Sequence, residues 1–385
     1  MKKSKLRIYA GILPVLFIIA SCGSDTKTGI PEQPEQREQL PEQEKHPELP
    51  KKPANVILMI GDGMGLTQLQ AGMTAKRDKL QIARCRVIGL VKTHSADDYV
   101  TDSAASATAF ATGEKTKNHF IGVDPSGNRL TNLFELAEKQ GLSTGFAVTC
   151  QATHATPVAF VGHHKDRNAH EILALDFLKL DIDYFAGGGR KYFNQRKDGL
   201  NLVDSLKARG YDVVTDMESL ENSASGKIAG LVYENIPPKV TGGRNDMLAV
   251  ASGKALEVLS KNENGFILLI EGSQIDWAGH DNDLDYLLSE MEDFDNTVGE
   301  ILDFAQKDGN TLVIITADHE CGGLALPGGN RAKGEVEAVF FFYFYTAVMV
   351  PLFAYGPGAE EFMGVYENTD VFHKICKVLS ISAEN

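Results

Sequence analysis

Residues 55–65 read NVILMIGDGMG, an apolar run that ends in an acidic residue between two glycines. A strand in the middle of a parallel sheet is covered on both faces, so it is apolar throughout instead of alternating. Ligands of such sheets bind beyond the carboxyl ends of the strands. The stretch therefore predicts a central strand over about residues 55–60, and it places Asp62 where a ligand would bind.

Apolar runs of the same kind recur along the chain and alternate with helical stretches. The further predicted strands are 143–150, 183–188, 266–270, 311–317 and 349–356, and the predicted long helices are 245–259 and 284–304. Alternating strands and helices are typical of an α/β fold. The sequence thus predicts a large, mainly parallel central sheet that is flanked by helices on both faces.

The first 53 residues are predicted to lie outside this fold. Residues 1–22, MKKSKLRIYAGILPVLFIIASC, have the layout of a secretory signal, with a basic start, a short apolar run and small residues before a cysteine. The ending IASC resembles a bacterial lipobox, so we predict an exported periplasmic or cell-surface lipoprotein anchored to the membrane through Cys22. An ordinary secretion signal with an incidental cysteine is the alternative. Residues 23–53, rich in Pro, Glu and Gln, predict a disordered tether.

Charge and cysteine usage exclude several classes of protein. The 385 residues carry a formal net charge of -14, which argues against a general nucleic-acid or membrane-surface binder. Beyond Cys22, the four cysteines at positions 85, 150, 321 and 376 show no CxxC spacing, so neither a zinc ribbon nor a redox motif is indicated. One or two disulfides are an expectation for an exported protein, with no pairing deducible.

Acidic and histidine side chains follow the predicted strands. Glu271, Asp276 and His280 come after the strand at 266–270, and Asp318 with His319 after the strand at 311–317. Residues four apart on a helix share one side, so Asp276 and His280 can hold one ion, and carboxylate plus imidazole is a normal zinc ligand set. Each residue alone is more often a solvated acid or a hydrogen-bonded histidine. Three such groups at strand ends, with Asp62 among them, predict a site for several metal ions.

A nucleophile and a phosphate-binding group are also predicted. Ser103 precedes a run of small residues, and a helix N-terminus there would favour an alkoxide or a phosphate. The other interpretation is that Ser103, Asp102 or Thr101 simply caps the helix. Thr156 can ligate Mg²⁺ and Arg167 can hold two phosphate oxygens. A helix start and a surface arginine are the ordinary interpretations of these two residues.

Together these residues resemble the alkaline phosphatase family. The motifs GDGMG, TDSAASATAFATG, HATPVAF, EGSQIDWAGH and ADHECGG occur in the family's order, from about residue 55 to the C-terminal helix. The resemblance implies an alkaline phosphatase-like catalytic domain over residues 54–385. It implies hydrolysis of phosphate monoesters through a phosphoserine on Ser103, with Arg167 clamping the substrate phosphate, and a homodimer is compatible with it.

The resemblance also implies two Zn²⁺ ions and one Mg²⁺ ion. Asp62, Asp318 and His319 would hold one zinc ion, and Asp276 and His280 would hold the second. Asp62, Thr156 and Glu271 would hold magnesium. His154 and Trp277 would tune the third metal and the phosphate pocket. Relatives place a further histidine just before the threonine that corresponds to Thr346. Here that position is Tyr345, the last of six consecutive aromatic residues that start at Phe340. The sequence therefore predicts a second zinc with only two strong protein ligands, and it predicts a phosphomonoesterase of native or reduced activity.

Three other functions compete with this interpretation. A phosphodiesterase of the same superfamily is disfavoured by the third-metal ligands Thr156 and Glu271. A sulfatase is disfavoured because no Cys-x-Pro-x-Arg segment is present. A non-catalytic lipoprotein that binds metal or phosphate is favoured only by Tyr345.

Overall fold

A computed structural model of the chain describes residues 52–382, and the predicted signal, Cys22 and nearly all of the predicted tether lie outside the described residues. At the end of the predicted tether, the Lys52 ammonium donates to Ser380 Oγ at 2.8 Å and Pro53 is buried, so these two residues pack onto the domain. Within the described part, no helix is both long and apolar enough to cross a membrane.

Fourteen strands lie within the described range. They are β1 (Asn55–Gly61), β2 (Val87–Lys92), β3 (Ser143–Gln151), β4 (Tyr184–Gly188), β5 (Asp212–Val214), β6 (Ile228–Leu231), β7 (Phe266–Gly272), β8 (Thr311–Thr316), β9 (Glu320–Cys321), β10 (Leu324–Asn330), β11 (Glu335–Phe340), β12 (Tyr345–Thr346), β13 (Val350–Tyr355) and β14 (Gly364–Glu367).

The same range contains twelve α-helices. They are α1 (Leu66–Ala75), α2 (Ser103–Thr112), α3 (Leu133–Lys139), α4 (Ala155–Ala159), α5 (His170–Leu173), α6 (Lys191–Asn194), α7 (Leu202–Ala208), α8 (Met217–Asn222), α9 (Met247–Leu259), α10 (Gln274–Asp281), α11 (Leu284–Asp308) and α12 (Asn368–Leu379).

Ten strands form one sheet in the order β14-β2-β13-β8-β1-β7-β3-β4-β6-β5. Only β13 runs antiparallel to its neighbours, and the other pairings are parallel. Every residue of β1, β7 and β8 is buried, and successive side chains of a strand point to opposite faces, so both faces of the sheet centre are covered. The predicted α/β fold with a large, mainly parallel sheet is confirmed, and each predicted strand is present within two residues of its expected ends.

The aromatic run Phe340–Tyr345 is not a strand of the core. Phe340 ends β11, Tyr345 lies in the short β12, and the four rings between them are 55% to 72% exposed. The backbone of the run is fixed to one glycine, because the amides of Phe341 and Phe342 donate to the Gly322 carbonyl at 3.1 and 3.0 Å. The aromatic run is therefore largely a surface segment, and the next strand of the core, β13, begins at Val350.

The four cysteines within residues 52–382 are free thiols, and all four are buried. The expected disulfides are therefore absent from the described part of the chain. No disulfide forms among these four cysteines because their buried thiols lie in separate parts of the interior, so that none faces another.

Candidate active site

The predicted site residues meet at one edge of the sheet. β1 lies between β8 and β7, and β3 lies on the far side of β7, so the carboxyl ends of these four parallel strands are adjacent. Asp62 follows β1, Glu271 lies near the end of β7, and Asp318 follows β8. Residues that are far apart in sequence are brought together here by strand order alone.

Gly63 allows these elements to approach one another. Its φ of 76° lies in the left-handed region, and a Cβ on it would lie 2.7 Å from the Cα of Asp276. Its amide donates to Asp318 Oδ1 at 3.1 Å, and its carbonyl accepts from the amide of Cys321 at 3.2 Å. One turn after β1 therefore ties together the loops that follow β7 and β8.

Ser103 is the first residue of α2, and Asp102 is the cap of that helix. Asp102 Oδ1 accepts from the amide of Ala105 at 2.9 Å, so the Ser103 hydroxyl is not used as a cap. Its Oγ lies 3.2 Å from His319 Nε2. The helix is also tied to the end of β8, because Ser106 Oγ donates to the Asp318 carbonyl at 2.8 Å. The hydroxyl of the predicted nucleophile therefore lies at a helix N-terminus without serving as its cap, and it contacts a predicted metal ligand.

Asp62, Asp318 and His319 form the first cluster, with ligand atoms within 4.8 Å of one another and no solvent exposure. His319 Nε2 lies 3.5 Å from Asp62 Oδ1 and 3.2 Å from Asp318 Oδ2. The same nitrogen is the one next to Ser103, whereas Nδ1 is buried and has no hydrogen-bond partner. In a Ser-His-Asp triad the carboxylate holds the other ring nitrogen, so this arrangement favours a metal ligand over a general base.

Asp276 and His280 form the second cluster together with Cys321. They lie four residues apart on α10, as the sequence predicted, and His280 Nε2 is 3.3 Å from Asp276 Oδ2. The ligand atoms of all three residues lie within 4.8 Å of one another. The sequence interpretation assigned only two strong protein ligands to this site and did not consider the cysteine. The signal was present in ADHECGG, but only the fold shows that Cys321 faces α10.

Glu271, His154 and Cys150 form the third cluster, again within 4.8 Å. Cys150 Sγ donates to Glu271 Oε2 at 3.3 Å, while Glu271 Oε1 and Thr156 Oγ1 are buried without a hydrogen-bond partner. His154 immediately precedes α4, the helix that carries Thr156. Glu271, which is predicted to bind magnesium, therefore lies beside the thiol of Cys150, a residue that the sequence pattern does not point to.

The buried carboxylates destabilise one another's charged forms. Burial raises the pKa of Asp62 well above its ordinary value, and the negative charges of Asp318 and Asp276 raise it further. Burial also raises the pKa of Glu271 to about 7. Both oxygens of Asp62 and one each of Glu271, Asp276 and Asp318 have no hydrogen-bond partner. A group of buried acids with free oxygens fits divalent cations, because buried charges are normally paired or bound to metal.

Arg167 lies at the mouth of the site and its side chain is 13% exposed. Its Nη1 donates to Asp102 Oδ2 at 3.0 Å. Burial lowers the pKa of this guanidinium, but several nearby groups, Asp102 first among them, together outweigh burial and raise the pKa above its ordinary value, so Arg167 stays charged. A cavity of about 430 Å³ is lined here by His119, Gln151, His154, Arg167, Asn168, His170, Ile236, Trp277 and Tyr345. Cations beside a charged guanidinium can bind and polarise an anionic substrate.

Tyr345 lies over both predicted zinc histidines. Its ring centroid is 4.0 Å from that of His319 and 5.1 Å from that of His280. Burial raises the pKa of its phenol above the ordinary value, so the ring covers the site as a neutral group. The structure therefore places this residue at the site, as the sequence predicted.

The comparisons with known proteins agree on one family. A family model described as alkaline phosphatase matches residues 53–339. Alkaline phosphatase 4 of Bacillus subtilis is 33% identical, with 84% of this chain and 88% of the relative covered. The Escherichia coli alkaline phosphatase is 32% identical, with 86% and 88% covered.

Solved structures give the same result. The alkaline phosphatase from the Antarctic bacterium TAB5 is 40% identical and superimposes with a TM-score of 0.82, covering 87% of this chain and 100% of that structure. A variant of the TAB5 enzyme has been solved with Mg bound in its M3 site. The family-model match stops at residue 339, immediately before the aromatic run.

Proposed function

The chain belongs to the alkaline phosphatase family and is a phosphate monoester hydrolase, and we propose that it acts through a phosphoserine formed on Ser103. The contact between Ser103 Oγ and His319 Nε2, inside a cluster of buried acids, is the observation that carries this proposal. It supports a serine nucleophile that is activated next to metal ligands.

We propose that these clusters hold two zinc ions and one magnesium ion. Asp62, Asp318 and His319 would hold one zinc ion, Asp276 and His280 would contribute to a second, and Asp62, Thr156 and Glu271 would hold magnesium. When bound, such ions supply Lewis-acid stabilisation of the attacking and leaving oxygens of an in-line displacement.

The remaining steps are assigned to the chain's own groups. Ser103 Oγ gives up its proton and attacks phosphorus, the bond from phosphorus to the ester oxygen breaks, and the alcohol leaves with that proton; water then hydrolyses the phosphoserine, which restores the serine and releases inorganic phosphate. Arg167 binds the non-bridging oxygens in the fork geometry of a guanidinium, and Asp102 orients it. A monoester carries one more negative oxygen than a diester, so this cationic pocket favours monoesters.

The test compares turnover with phosphoenzyme formation. The purified protein is assayed with a chromogenic phosphate monoester and the matching diester at alkaline pH, before and after chelation and with Zn²⁺ and Mg²⁺ restored. Ser103→Ala should abolish labelling of the protein by phosphate while leaving metal content nearly unchanged. Labelling of another residue in that variant would refute the assignment, and faster diester hydrolysis would favour the phosphodiesterase.

We further propose that the protein is exported and lipid-anchored through Cys22. The lipobox-like ending of residues 1–22 supports this. Cys22→Ser should release the protein from the membrane fraction of an expressing bacterium. A membrane-bound variant would contradict the anchor, and the homodimer stays a separate prediction for sedimentation analysis.

A further inference from the structure

Cys321 lies where the second predicted zinc site lacks a ligand. Its side chain is fully buried, and its Sγ lies within 4.8 Å of the ligand atoms of Asp276 and His280. Asp276 Oδ1 is buried and has no hydrogen-bond partner. We propose that Cys321 is the third protein ligand of this zinc ion, in place of the imidazole that is missing at position 345. The proposal rests on the metal site of the proposed function and names its donor set.

The register of two short strands explains how a cysteine can take this role. β9 and β12 are antiparallel, and Tyr345 lies directly opposite Cys321. Side chains opposite each other in such a pair share one face and have Cβ atoms about 4.5–5.5 Å apart. A ligand can therefore reach the same point from either strand, so the loss of histidine from β12 is compensated from β9.

Gly279 provides the space for this approach. It lies on α10 between the two other ligands, and a Cβ on it would be 3.0 Å from the Cβ of Cys321 and 3.0 Å from the Cys321 carbonyl oxygen. A side chain at position 279 would push Cys321 away from the helix. Because residues three and four apart on a helix are neighbours, Cys321 packs on the face that carries Asp276 and His280.

The imidazole is already oriented for metal binding. His280 Nδ1 donates to the Tyr343 carbonyl at 2.6 Å, which leaves Nε2 directed at Asp276 Oδ2. Metal-bound histidines usually donate their other ring N–H to such an acceptor. The aromatic run thus contributes a backbone oxygen, and the donor set becomes one carboxylate, one imidazole and one sulfur, all normal zinc ligands.

Tyr345 has a different role in this arrangement. Its ring packs against His319 and lines the cavity beside Arg167. A thiol that binds zinc releases its proton to solvent and becomes a thiolate. A site with two anionic ligands leaves less positive charge on the metal than a site with one carboxylate and two imidazoles. We therefore expect a weaker Lewis acid at this position and slower turnover than in relatives with histidine there.

Cobalt substitution tests the sulfur ligand without any assay of turnover. The chelated protein is titrated with Co²⁺ and its near-ultraviolet absorption is recorded for the thiolate-to-cobalt charge-transfer band. The unaltered protein should show the band, and Cys321→Ser should lose it. Cys150→Ser is the matched control, because it removes the buried thiol of the neighbouring cluster and should keep the band.

Zinc content gives a second readout. Cys321→Ser should hold one zinc ion fewer per chain after dialysis, Tyr345→Phe should lose none, and Cys321→Ser with Tyr345→His should regain the lost ion. Absence of the band in the unaltered protein, or its persistence in Cys321→Ser, would overturn the proposal. Loss of zinc in Tyr345→Phe would also overturn it and identify the phenol as the ligand. A protein that shows the band but hydrolyses no monoester would refute the proposed function alone.

Discussion

Arg167 is held in place by the residue next to the proposed nucleophile, Ser103. Its Nη1 donates to Asp102 Oδ2 at 3.0 Å, and the same oxygen accepts the amide of His119 at 3.0 Å. A guanidinium has five N–H donors, so most of them remain available to a ligand at the mouth of the cavity. One carboxylate, that of Asp102, therefore fixes both the helix start that carries Ser103 and the position of the Arg167 guanidinium.

Arg167→Ala should weaken phosphate binding more than it weakens folding. Hydrogen bonds to charged groups contribute about 1.5–3 kcal/mol, so we expect the KM for a monoester and the inhibition constant of inorganic phosphate to rise about 10- to 150-fold. Steady-state kinetics with phosphate as inhibitor measure both. Arg209→Ala, which changes an arginine that is paired only with an exposed carboxylate, is the control and should behave as the unaltered protein. An unchanged inhibition constant in Arg167→Ala would show that this side chain does not bind the ligand.

At the scale of elements, α2 depends on its cap as much as on its composition. All ten residues of the helix are buried, and small side chains let it pack closely against α4 and α12. Asp102 supplies the hydrogen bond that the first turn cannot make for itself. The cap, the nucleophile and the orientation of Arg167 are therefore coupled.

Two substitutions of Asp102 separate capping from charge. Asp102→Ala should lower the free energy of unfolding by about 1 kcal/mol through loss of the cap. Asp102→Asn retains a capping oxygen and should cost less stability, but both variants release Arg167 and should raise the inhibition constant of phosphate. Thermal unfolding and inhibition kinetics distinguish the two effects. If Asp102→Asn binds phosphate as tightly as the unaltered protein, another contact must hold Arg167.

The aromatic segment acts through its backbone. Phe341 and Phe344 are 66% and 72% exposed, so replacing both with Ser should change the free energy of unfolding by less than about 0.5 kcal/mol and leave metal content unchanged. Phe340→Ser is the matched comparison, because this ring packs against the core and its loss should cost about 1–3 kcal/mol. Chemical denaturation measures both. A large destabilisation by the Phe341 and Phe344 changes would mean that these rings are covered in solution.

At the scale of the whole molecule, the sheet brings several carboxylates together, and their negative charges repel one another. The ends of β1, β7 and β8 supply Asp62, Glu271 and Asp318, each with no solvent exposure. Cations offset their mutual repulsion, so metal binding and folding are linked. The stability of this fold should therefore depend on pH in opposite ways with and without metal.

Chelated protein should lose stability as pH rises. Burial raises the pKa of Glu271 from 4.5 to about 7, so the folded chain holds a proton that the unfolded chain releases in that range. The hydrogen bond with Asp276 raises the pKa of His280 from 6.5 to about 9, and its stabilisation is present below 6.5 and lost as pH rises to 9. Both shifts predict a fall of a few kcal/mol between about pH 5 and pH 9.

Metal should reverse this slope, because zinc and magnesium bind the deprotonated ligands. Thermal unfolding at pH 5, 7 and 9, with chelator or with Zn²⁺ and Mg²⁺, measures both curves. Chelated protein that is as stable at pH 9 as at pH 5 would contradict the linkage between these acids and folding.

The sequence by itself determined the sheet, and it predicted a group of acids and histidines at one edge of that sheet. Buried parallel strands are apolar throughout, so β1, β7 and β8 are readable without a structure, and polar residues just beyond them belong to one edge by topology. Asp62, Asp276 and His319 were predicted on this basis. The pairing of Asp276 with His280 could also be predicted from the sequence, because residues four apart on a helix lie on the same side.

Only the tertiary structure decided the functions of residues whose partners are distant in sequence. The sequence offers three candidate caps for α2, namely Thr101, Asp102 and Ser103. In the structure the cap is Asp102, because its Oδ1 accepts from the amide of Ala105. The aromatic run is apolar or aromatic throughout, yet the side chains of residues 341–344 are exposed, because they lie in the loop between β11 and β12 and not on a packed face of the sheet. Cys321 reaches Asp276 and His280, at the proposed second zinc site, through strand register and the missing side chain of Gly279, and neither is visible in a linear pattern.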